Sequence, residues 1–193
     1  MTLRFALFDS ALGACGVAWH GDAQDGLFGA QLPADSPEAL RALMHQRFAA
    51  GVEAEPPPAV REAIARVQRL LAGATADHQE LLAVRLDDSR LPDFDRQVLW
   101  LTRQIPVGQT RSYGEIATAL GQPGAARAVG RAEGHNPFAP IVPCHRVIGA
   151  AKPRAGDVLT GFSAPGGIEA KRRLLLIEAR AAGQLAGDQQ PLF

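Results

Sequence analysis

The pattern of apolar positions in the first third of the chain predicts short strands. Leu3–Phe8 and Cys15–Trp19 are rich in apolar and aromatic residues and are separated by turn-forming residues. Gly26–Leu32 fits a third strand, and Leu82–Leu86 alternates sufficiently to predict a fourth.

Helical signals lie between these predicted strands. Ser36 followed by Pro37 is typical of a helix start, with serine as N-cap and proline in the first turn, and we expect this helix to run to about Ala50. A second helix is predicted over Ala59–Ala72, with its apolar residues on one face. Strands and helices together predict a small α/β domain over residues 1–91, because Arg90-Leu91-Pro92 marks a change of pattern.

The second half has mainly helical spacing. Apolar residues recur every three or four positions over Phe94–Ile105, and a last helix is predicted over Gly166–Ala182. Lys152–Leu159 is expected to be a polar loop. We therefore predict a mostly helical second domain over residues 92–183 and a frayed tail over 184–193.

Two of the predicted helices are separated by one short turn. Ser112 and Glu115 have the spacing of a capping box, so a helix should start there and stop at Gly121. A four-residue turn leads into Ala125–Ala132. Helix, short turn and helix in this order predict a helix-turn-helix motif.

Composition and charge restrict the compartment and the partners. The chain has 193 residues, of which 47% are hydrophobic and 21% charged, and it contains no run of the ~20 apolar residues that a membrane span needs. The apolar run near its amino terminus is too short for the hydrophobic segment of a secretory signal. We therefore expect a reducing, cytoplasmic setting (associated with the nucleoid, or nuclear in a eukaryote), which disfavours a disulfide between the two cysteines.

The formal net charge is zero, but the two halves differ. Residues 1–91 carry −4 and residues 92–193 carry +4. A basic second half fits contact with phosphates, although charge alone is equally compatible with ordinary scatter.

The second helix of the predicted motif has few bulky side chains. It consists mainly of alanine and glycine, with Arg127 and Arg131 among them. Such a helix can approach a nucleic-acid backbone closely or pack tightly against its neighbours. The two arginines and the capped partner helix favour DNA.

The strongest chemical signal is the dipeptide Cys144-His145, preceded by a proline. A thiol reacts as the thiolate, and an adjacent base is the usual means of forming it. We expect these two residues to lie on extended backbone, where neighbouring side chains point to opposite faces. His145 would then act on Cys144 through a water molecule.

The second half resembles the O6-alkylguanine-DNA alkyltransferases, which repair DNA and inactivate themselves. The resemblance covers roughly residues 94–178 and is carried by blocks in the family's order: Arg96-Gln97-Val98-Leu99-Trp100, Pro106-Val107-Gly108-Gln109-Thr110, Ser112-Tyr113-Gly114-Glu115-Ile116-Ala117, Ala125-Ala126-Arg127-Ala128-Val129-Gly130, Asn136 to Gly149 around Pro143-Cys144-His145-Arg146, and Gly161-Phe162-Ser163 with Gly166-Gly167. It implies that the second helix enters the minor groove of duplex DNA and that the alkylated guanosine rotates out of the stack.

The resemblance also implies a role for individual residues. Cys144 would take the alkyl group from O6-alkylguanine in a single, irreversible transfer without a cofactor, and whether O4-alkylthymine also reacts stays open. The other implied catalytic residues are His145 as the base, Glu178 as the group that orients it, Tyr113 as a proton donor that assists flipping, and Asn136 as a brace. Arg127 would fill the space that the flipped base leaves.

Further residues follow from the same resemblance. The implied DNA contacts are Tyr113, Gly114, Gln122, Ala126, Arg127 and Arg131, and the implied pocket for the alkylated base comprises Val147, Phe162 and Ser163. Many family members have tyrosine where this chain has Phe162, and Lys152–Val158 resembles an insertion. The first domain is expected to be ribonuclease H-like, and the whole protein to be a monomer.

Some relatives bind zinc in the first domain. This half of the chain offers Cys15, His20, His45 and His78 without paired ligand spacing, so we expect no metal.

Three other functional interpretations compete with alkyl transfer to Cys144. A damage-recognition protein of the same fold would lack the nucleophile, commonly with tryptophan in its place, whereas this chain has Cys144. A cysteine hydrolase built on Cys144, His145 and Glu178 would normally bring its cysteine and histidine from distant parts of the chain. A transcription factor would leave the Cys-His block unexplained.

Overall fold

The computed structural model describes residues 2–24, 26–48, 51–150, 159 and 161–185. The chain divides into two compact units. The first extends to Arg90 and also includes Pro137–Ile141, and the second consists of Leu91–Asn136 and the chain from Val142 onward. The short segment Pro137–Ile141 was not expected in the first unit from the sequence. The predicted insertion over Lys152–Val158 lies outside the described residues, as do the tail from residue 186 and all of the predicted loop Lys152–Leu159 except Leu159.

The first unit is a four-stranded sheet with helices. The strands are β1 (Leu3–Ser10), β2 (Gly13–His20), β3 (Leu27–Gln31) and β4 (Val52–Glu53), in the order β3-β2-β1-β4. β1 and β3 pair antiparallel with β2, whereas β4 pairs parallel with β1. The helices are α1 (Pro37–Arg47), α2 (Pro58–Leu71) and α3 (His78–Leu82).

A cluster of large apolar side chains joins the sheet to α1. It consists of buried residues from β1, β2, α1 and the residue after α1: Leu3, Phe5, Ala18, Leu40, Met44 and Phe48. Gly16 allows this close packing, because a Cβ at that position would lie 2.6 Å from the sulfur of Met44.

The strand predicted over Leu82–Leu86 is wrong. Residues 78–82 form α3, whose amino terminus is capped by the Asp77 side chain accepting from the amide of Gln79. Leu81 and Val84 are both buried at a spacing of three, which suits a helical turn. Only an isolated bridge from Leu86 to Leu27 resembles strand pairing here.

The second unit is mainly helical. Its helices are α4 (Asp93–Arg103), α5 (Tyr113–Ala119), α6 (Ala126–Gly134) and α7 (Gly167–Ala181), and two short strands, β5 (Arg111–Ser112) and β6 (Val147–Ile148), pair in parallel. Its core contains Val98, Ile105, Ile116, Ala117, Val129, Ala132 and Val147. The mixed α/β class predicted from the sequence is therefore confirmed. No helix within the described ranges is long and apolar enough to cross a membrane.

Candidate active site

Cys144 lies at the start of a tight turn rather than on extended backbone. Residues Cys144–Arg146 form one turn of 3-10 helix, in which the amide of Arg146 donates to the carbonyl of Pro143 at 2.8 Å. The expectation of extended backbone here was wrong, because Pro143 and the following residues close a local hydrogen-bonded turn. Neighbouring side chains in such a turn diverge by about 120°, so His145 and Arg146 point in different directions from the thiol.

His145 and Arg146 converge on one buried carboxylate from α7. His145 Nε2 lies 2.8 Å from Glu178 Oε1, and Arg146 donates from Nε to Oε2 and from Nη2 to Oε1, each at 2.8 Å. All three side chains are almost inaccessible to solvent. Burial alone would raise the pKa of Glu178, but the hydrogen bonds from His145 and Arg146 and the positive charge of Arg146 outweigh it and lower the pKa to about 2.

This arrangement fixes the tautomer of His145. An ionised Glu178 can only accept hydrogen bonds, so Nε2 of the imidazole carries the proton. Burial lowers the pKa of His145 against the opposing effect of Glu178, which leaves the ring neutral at pH 7. Nδ1 is buried and has no partner within the described part of the chain. Its lone pair is therefore available to accept a proton.

The resting thiol of Cys144 is protonated. Burial, and then the nearby carboxyl of Glu133, raise its pKa to about 12, while Asn136 and Lys171 act in the opposite direction. Asn136 also donates from Nδ2 to the carbonyl of Val142 at 2.8 Å, two residues before the cysteine. Asn136 thus holds the backbone that leads into the turn, and a base is needed to generate the thiolate.

The predicted helix-turn-helix is present as α5, a short turn and α6. Its capping box is complete, since the amide of Glu115 donates to Ser112 Oγ at 3.1 Å and the amide of Ser112 donates to Glu115 Oε2 at 2.6 Å. On α6, Val129 and Ala132 are buried whereas Arg127 and Arg131 are exposed. The small-sided helix therefore presents two cations to solvent on one face.

A cavity of about 610 Å³ adjoins α6 and brings several of the predicted site residues together. Six of them line it: Tyr113, Ala126, Arg127, Cys144, Phe162 and Ser163. Ser163 also donates from its hydroxyl to the carbonyl of Gly134 at 3.1 Å, which ties the segment after Gly161 to the end of α6. The volume lies in the range of small-molecule sites, and the reactive sulfur is part of its wall.

Other predicted residues lie elsewhere. Val147, which the sequence prediction placed in the base pocket, is fully buried and is not among the residues that line this cavity. Its side chain packs instead into the core of the second unit, with Val98, Ile116 and Val129. Gly114 lies in the first turn of α5, and Gln122 is exposed in the turn between the two helices.

Several buried polar residues around the site carried no predicted role. Arg146 was visible only as part of the Pro-Cys-His-Arg block. Lys171 lies on α7 and donates from Nζ to the carbonyl of Val147 at 2.7 Å. It precedes Glu178 by seven residues, or two helical turns, and this spacing is the sequence feature that places both side chains on the same face of the helix. Glu133 is buried on α6, four residues after Val129, and accepts a hydrogen bond from the hydroxyl of Thr102.

Comparison with known proteins agrees with this geometry. Residues 93–180 match the family model described as the DNA-binding domain of 6-O-methylguanine DNA methyltransferase. The crystal structure of Mycobacterium tuberculosis OGT in complex with DNA is 38% identical, with a TM-score of 0.70 over 92% of this chain and 94% of that chain. The chain belongs to the methylated-DNA–protein-cysteine methyltransferase family. The resemblance to O6-alkylguanine-DNA alkyltransferases stated from the sequence is thereby confirmed.

Curated members of this methyltransferase family are similar to the chain over part of its length. The Mycobacterium bovis protein is 56% identical over 95 residues, which cover 49% of this chain and 53% of that protein. The Salmonella typhimurium protein is 52% identical over 82 residues, covering 42% and 44%. These alignments thus span about half the length of the curated relatives.

The described part of the first unit contains no cluster of potential metal ligands. Within the described residues, no three side chains of histidine, cysteine, aspartate or glutamate are close enough to hold an ion. Both cysteines are free and buried, and burial raises the pKa of Cys15 to about 11.

Proposed function

We propose that this protein repairs DNA by transferring the alkyl group of O6-alkylguanine to Cys144, once per molecule. The observation that carries the proposal is the position of Cys144 in the wall of a cavity shared with Tyr113 and Arg127. Its sequence neighbour His145 is paired with Glu178. A nucleophile, a base and an oriented carboxylate are the components that thiol chemistry needs.

The proposed transfer begins with removal of the thiol proton. His145 Nδ1 accepts that proton, directly or through one water molecule, and the resulting imidazolium is stabilised by ionised Glu178 at 2.8 Å. The sulfur then attacks the alkyl carbon in line, an S–C bond forms, and the bond from that carbon to guanine O6 breaks. The electron pair stays on the guanine, which takes a proton from Tyr113 in the cavity wall.

DNA contact is assigned to α5 and α6. The exposed Arg127 and Arg131 lie on one face of α6, and Gly114, Gln122 and Ala126 lie on the first turn of α5, in the connecting turn and at the start of α6. Guanine O6 is inaccessible to in-line attack within the duplex, so the base must rotate into the cavity. Arg127 lines that cavity and is exposed, which fits a side chain that occupies the vacated space.

The thioether product is stable to water, so each molecule is consumed by its reaction. We infer that the chain acts as a monomer in the compartment of the DNA, the cytoplasm in a bacterium. We also infer that the first domain, over about residues 1–91, has a ribonuclease H-like fold and supports the second domain.

The test is direct detection of the alkylated residue. The purified full chain is incubated with duplex DNA that contains one O6-methylguanine, and the intact mass and the modified peptide are determined. We expect a gain of one methyl group located on Cys144, absent in Cys144→Ala and retained in Cys15→Ala, which removes the other cysteine. DNA binding without any mass change in the reduced protein would contradict the proposal.

A further inference from the structure

A buried carboxyl group that the proposed transfer does not use lies beside the reactive thiol. Glu133 is 5% exposed and lines the same cavity as Cys144. Its Oε1 accepts from Thr102, whereas Oε2 is buried and has no hydrogen-bond partner in the described ranges. Burying an ionisable group with one oxygen unsatisfied is costly, so its charge state is sensitive to its surroundings.

The groups around Glu133 come from four elements. The turn that begins at Cys144 provides the thiol, and α7 provides Lys171, whose Nζ is buried. α4 provides the neutral Thr102, and α5 provides Tyr113, which lines the cavity. The cation of Lys171 interacts electrostatically with both Glu133 and Cys144. One cation therefore faces two groups that can each become negative.

With a single cation between them, Glu133 and Cys144 together carry one negative charge more readily than two. Burial raises the pKa of Glu133 to about 8, although Thr102 and Lys171 oppose the rise, so the carboxyl is mostly neutral at pH 7. When Glu133 ionises, its charge raises the pKa of Cys144. Of these two groups, only the thiolate is negative while Glu133 is neutral, whereas beside ionised Glu133 the thiolate is the second negative charge.

We propose that Glu133 is a positioning residue whose proton controls the reactivity of Cys144, so that the thiolate forms readily only while Glu133 is neutral. An isolated thiol becomes steadily more reactive as the pH rises towards its pKa. In this cavity, the negative charge that Glu133 acquires when it loses its proton opposes this rise in thiol reactivity. The relevance of this control to DNA repair rests on the proposed function, but the control itself can be measured without DNA.

The test measures how fast iodoacetamide labels Cys144 in the full chain between about pH 6 and pH 10. Peptide mass mapping separates this label from any on Cys15. Glu133→Gln removes the charge and keeps an oxygen that can accept from Thr102. Glu169→Gln is the matched control, because it removes one carboxylate charge at an exposed position on α7, which is the same change that Glu133→Gln makes once Glu133 is ionised.

We expect the native protein and Glu133→Gln to react at rates within about twofold at pH 7, where Glu133 is neutral in most molecules. Above about pH 9 we expect Glu133→Gln to react about tenfold faster, the effect of one pKa unit at the thiol. Glu169→Gln should follow the native profile. Coincident profiles for the native protein and Glu133→Gln, or an equal shift in Glu169→Gln, would overturn the proposal.

A second neutral variant and a second readout separate the alternatives. Glu133→Met tests the same loss of charge if Glu133→Gln does not fold, and folding of each variant is checked by circular dichroism. All variants are also assayed for methyl transfer from O6-methylguanine duplex. A shifted labelling profile without transfer in any variant would refute the proposed function alone, whereas transfer with unshifted labelling would refute the role of Glu133 alone.

Discussion

Replacing Glu178 with glutamine should both destabilise the second unit and remove a pH dependence of its stability. The carboxylate holds the buried His145 and Arg146 together through three hydrogen bonds of 2.8 Å. Glutamine leaves the guanidinium of Arg146 buried without a counter-charge. Removing one partner of a buried ion pair typically costs about 3–5 kcal/mol, so Glu178→Gln should lower the free energy of unfolding at pH 7 by that amount.

The pH dependence follows from the lowered pKa of Glu178. The group titrates near its ordinary value in the unfolded chain and at about 2 in the folded protein. The stabilisation is therefore present above the unfolded pKa of about 4.5 and is lost as the pH falls towards 2, and it amounts to roughly 3 kcal/mol. The difference between the native protein and Glu178→Gln should shrink over this interval.

The assay is chemical denaturation followed by circular dichroism at a series of pH values. Glu169→Gln is the control, because it removes an exposed carboxylate from the same helix and should change the unfolding free energy by no more than about 0.5 kcal/mol. A Glu178→Gln variant as stable as this control at pH 7, or a difference that does not change with pH, would refute the reasoning.

Three further predictions concern the capping box, the sheet and the proposed DNA-binding face. Ser112→Ala removes the side-chain oxygen that accepts from the Glu115 amide, so it should cost about 1 kcal/mol in denaturant unfolding; an unchanged midpoint would contradict this. Gly29→Ala should destabilise the protein by about 1–3 kcal/mol, because its Cβ would lie 2.2 Å from the ring of Phe48, whereas Gly124→Ala, with nothing within 4 Å, should be nearly neutral. Arg131→Ala should weaken binding to all duplexes alike and reduce the slope of log affinity against log salt by about 1; a slope equal to that of the control Arg61→Ala, which removes an exposed arginine of the first unit, would argue against phosphate contact.

Local signals allowed much of the second unit to be predicted from the sequence. The capping box at Ser112 and Glu115 depends only on residues three apart, and the predicted hydrogen bonds are present. The same holds for the Ser36 cap of α1, whose hydroxyl accepts from the Ala39 amide. Such helix caps can be predicted from the sequence because the residues that stabilise them are close neighbours in the chain.

Features that depend on distant parts of the chain were missed or misassigned. β4 has only two residues and exists because it pairs in parallel with β1, which lies about 48 positions earlier. The side chain of Val147 packs into a core formed with Val98 and Ile116, which lie far from it in the sequence, and no local pattern indicates that. The burial of Glu133 and Lys171 beside Cys144 requires α6, α7 and the 3-10 turn to be assembled first.

The candidate catalytic residues lie between these cases. Cys144 and His145 are adjacent in the chain, so their candidacy could be argued locally. Glu178 lies 33 positions beyond His145, and only the family resemblance indicated it. Its contact with Arg146 was not predicted, although that contact contributes to keeping Glu178 ionised.

Single-turnover transfer of the alkyl group to Cys144 is tested most directly by the stoichiometry of the reaction. A fixed amount of protein is mixed with increasing excess of duplex carrying deuterium-labelled O6-methylguanine, and the restored guanine and the label on the protein are counted together. We expect the amount of restored guanine and the amount of label on the protein to rise equally and to stop at one methyl group per protein molecule, with all of the label on Cys144. Restored guanine in excess of protein, or guanine restored without label on Cys144, would contradict it.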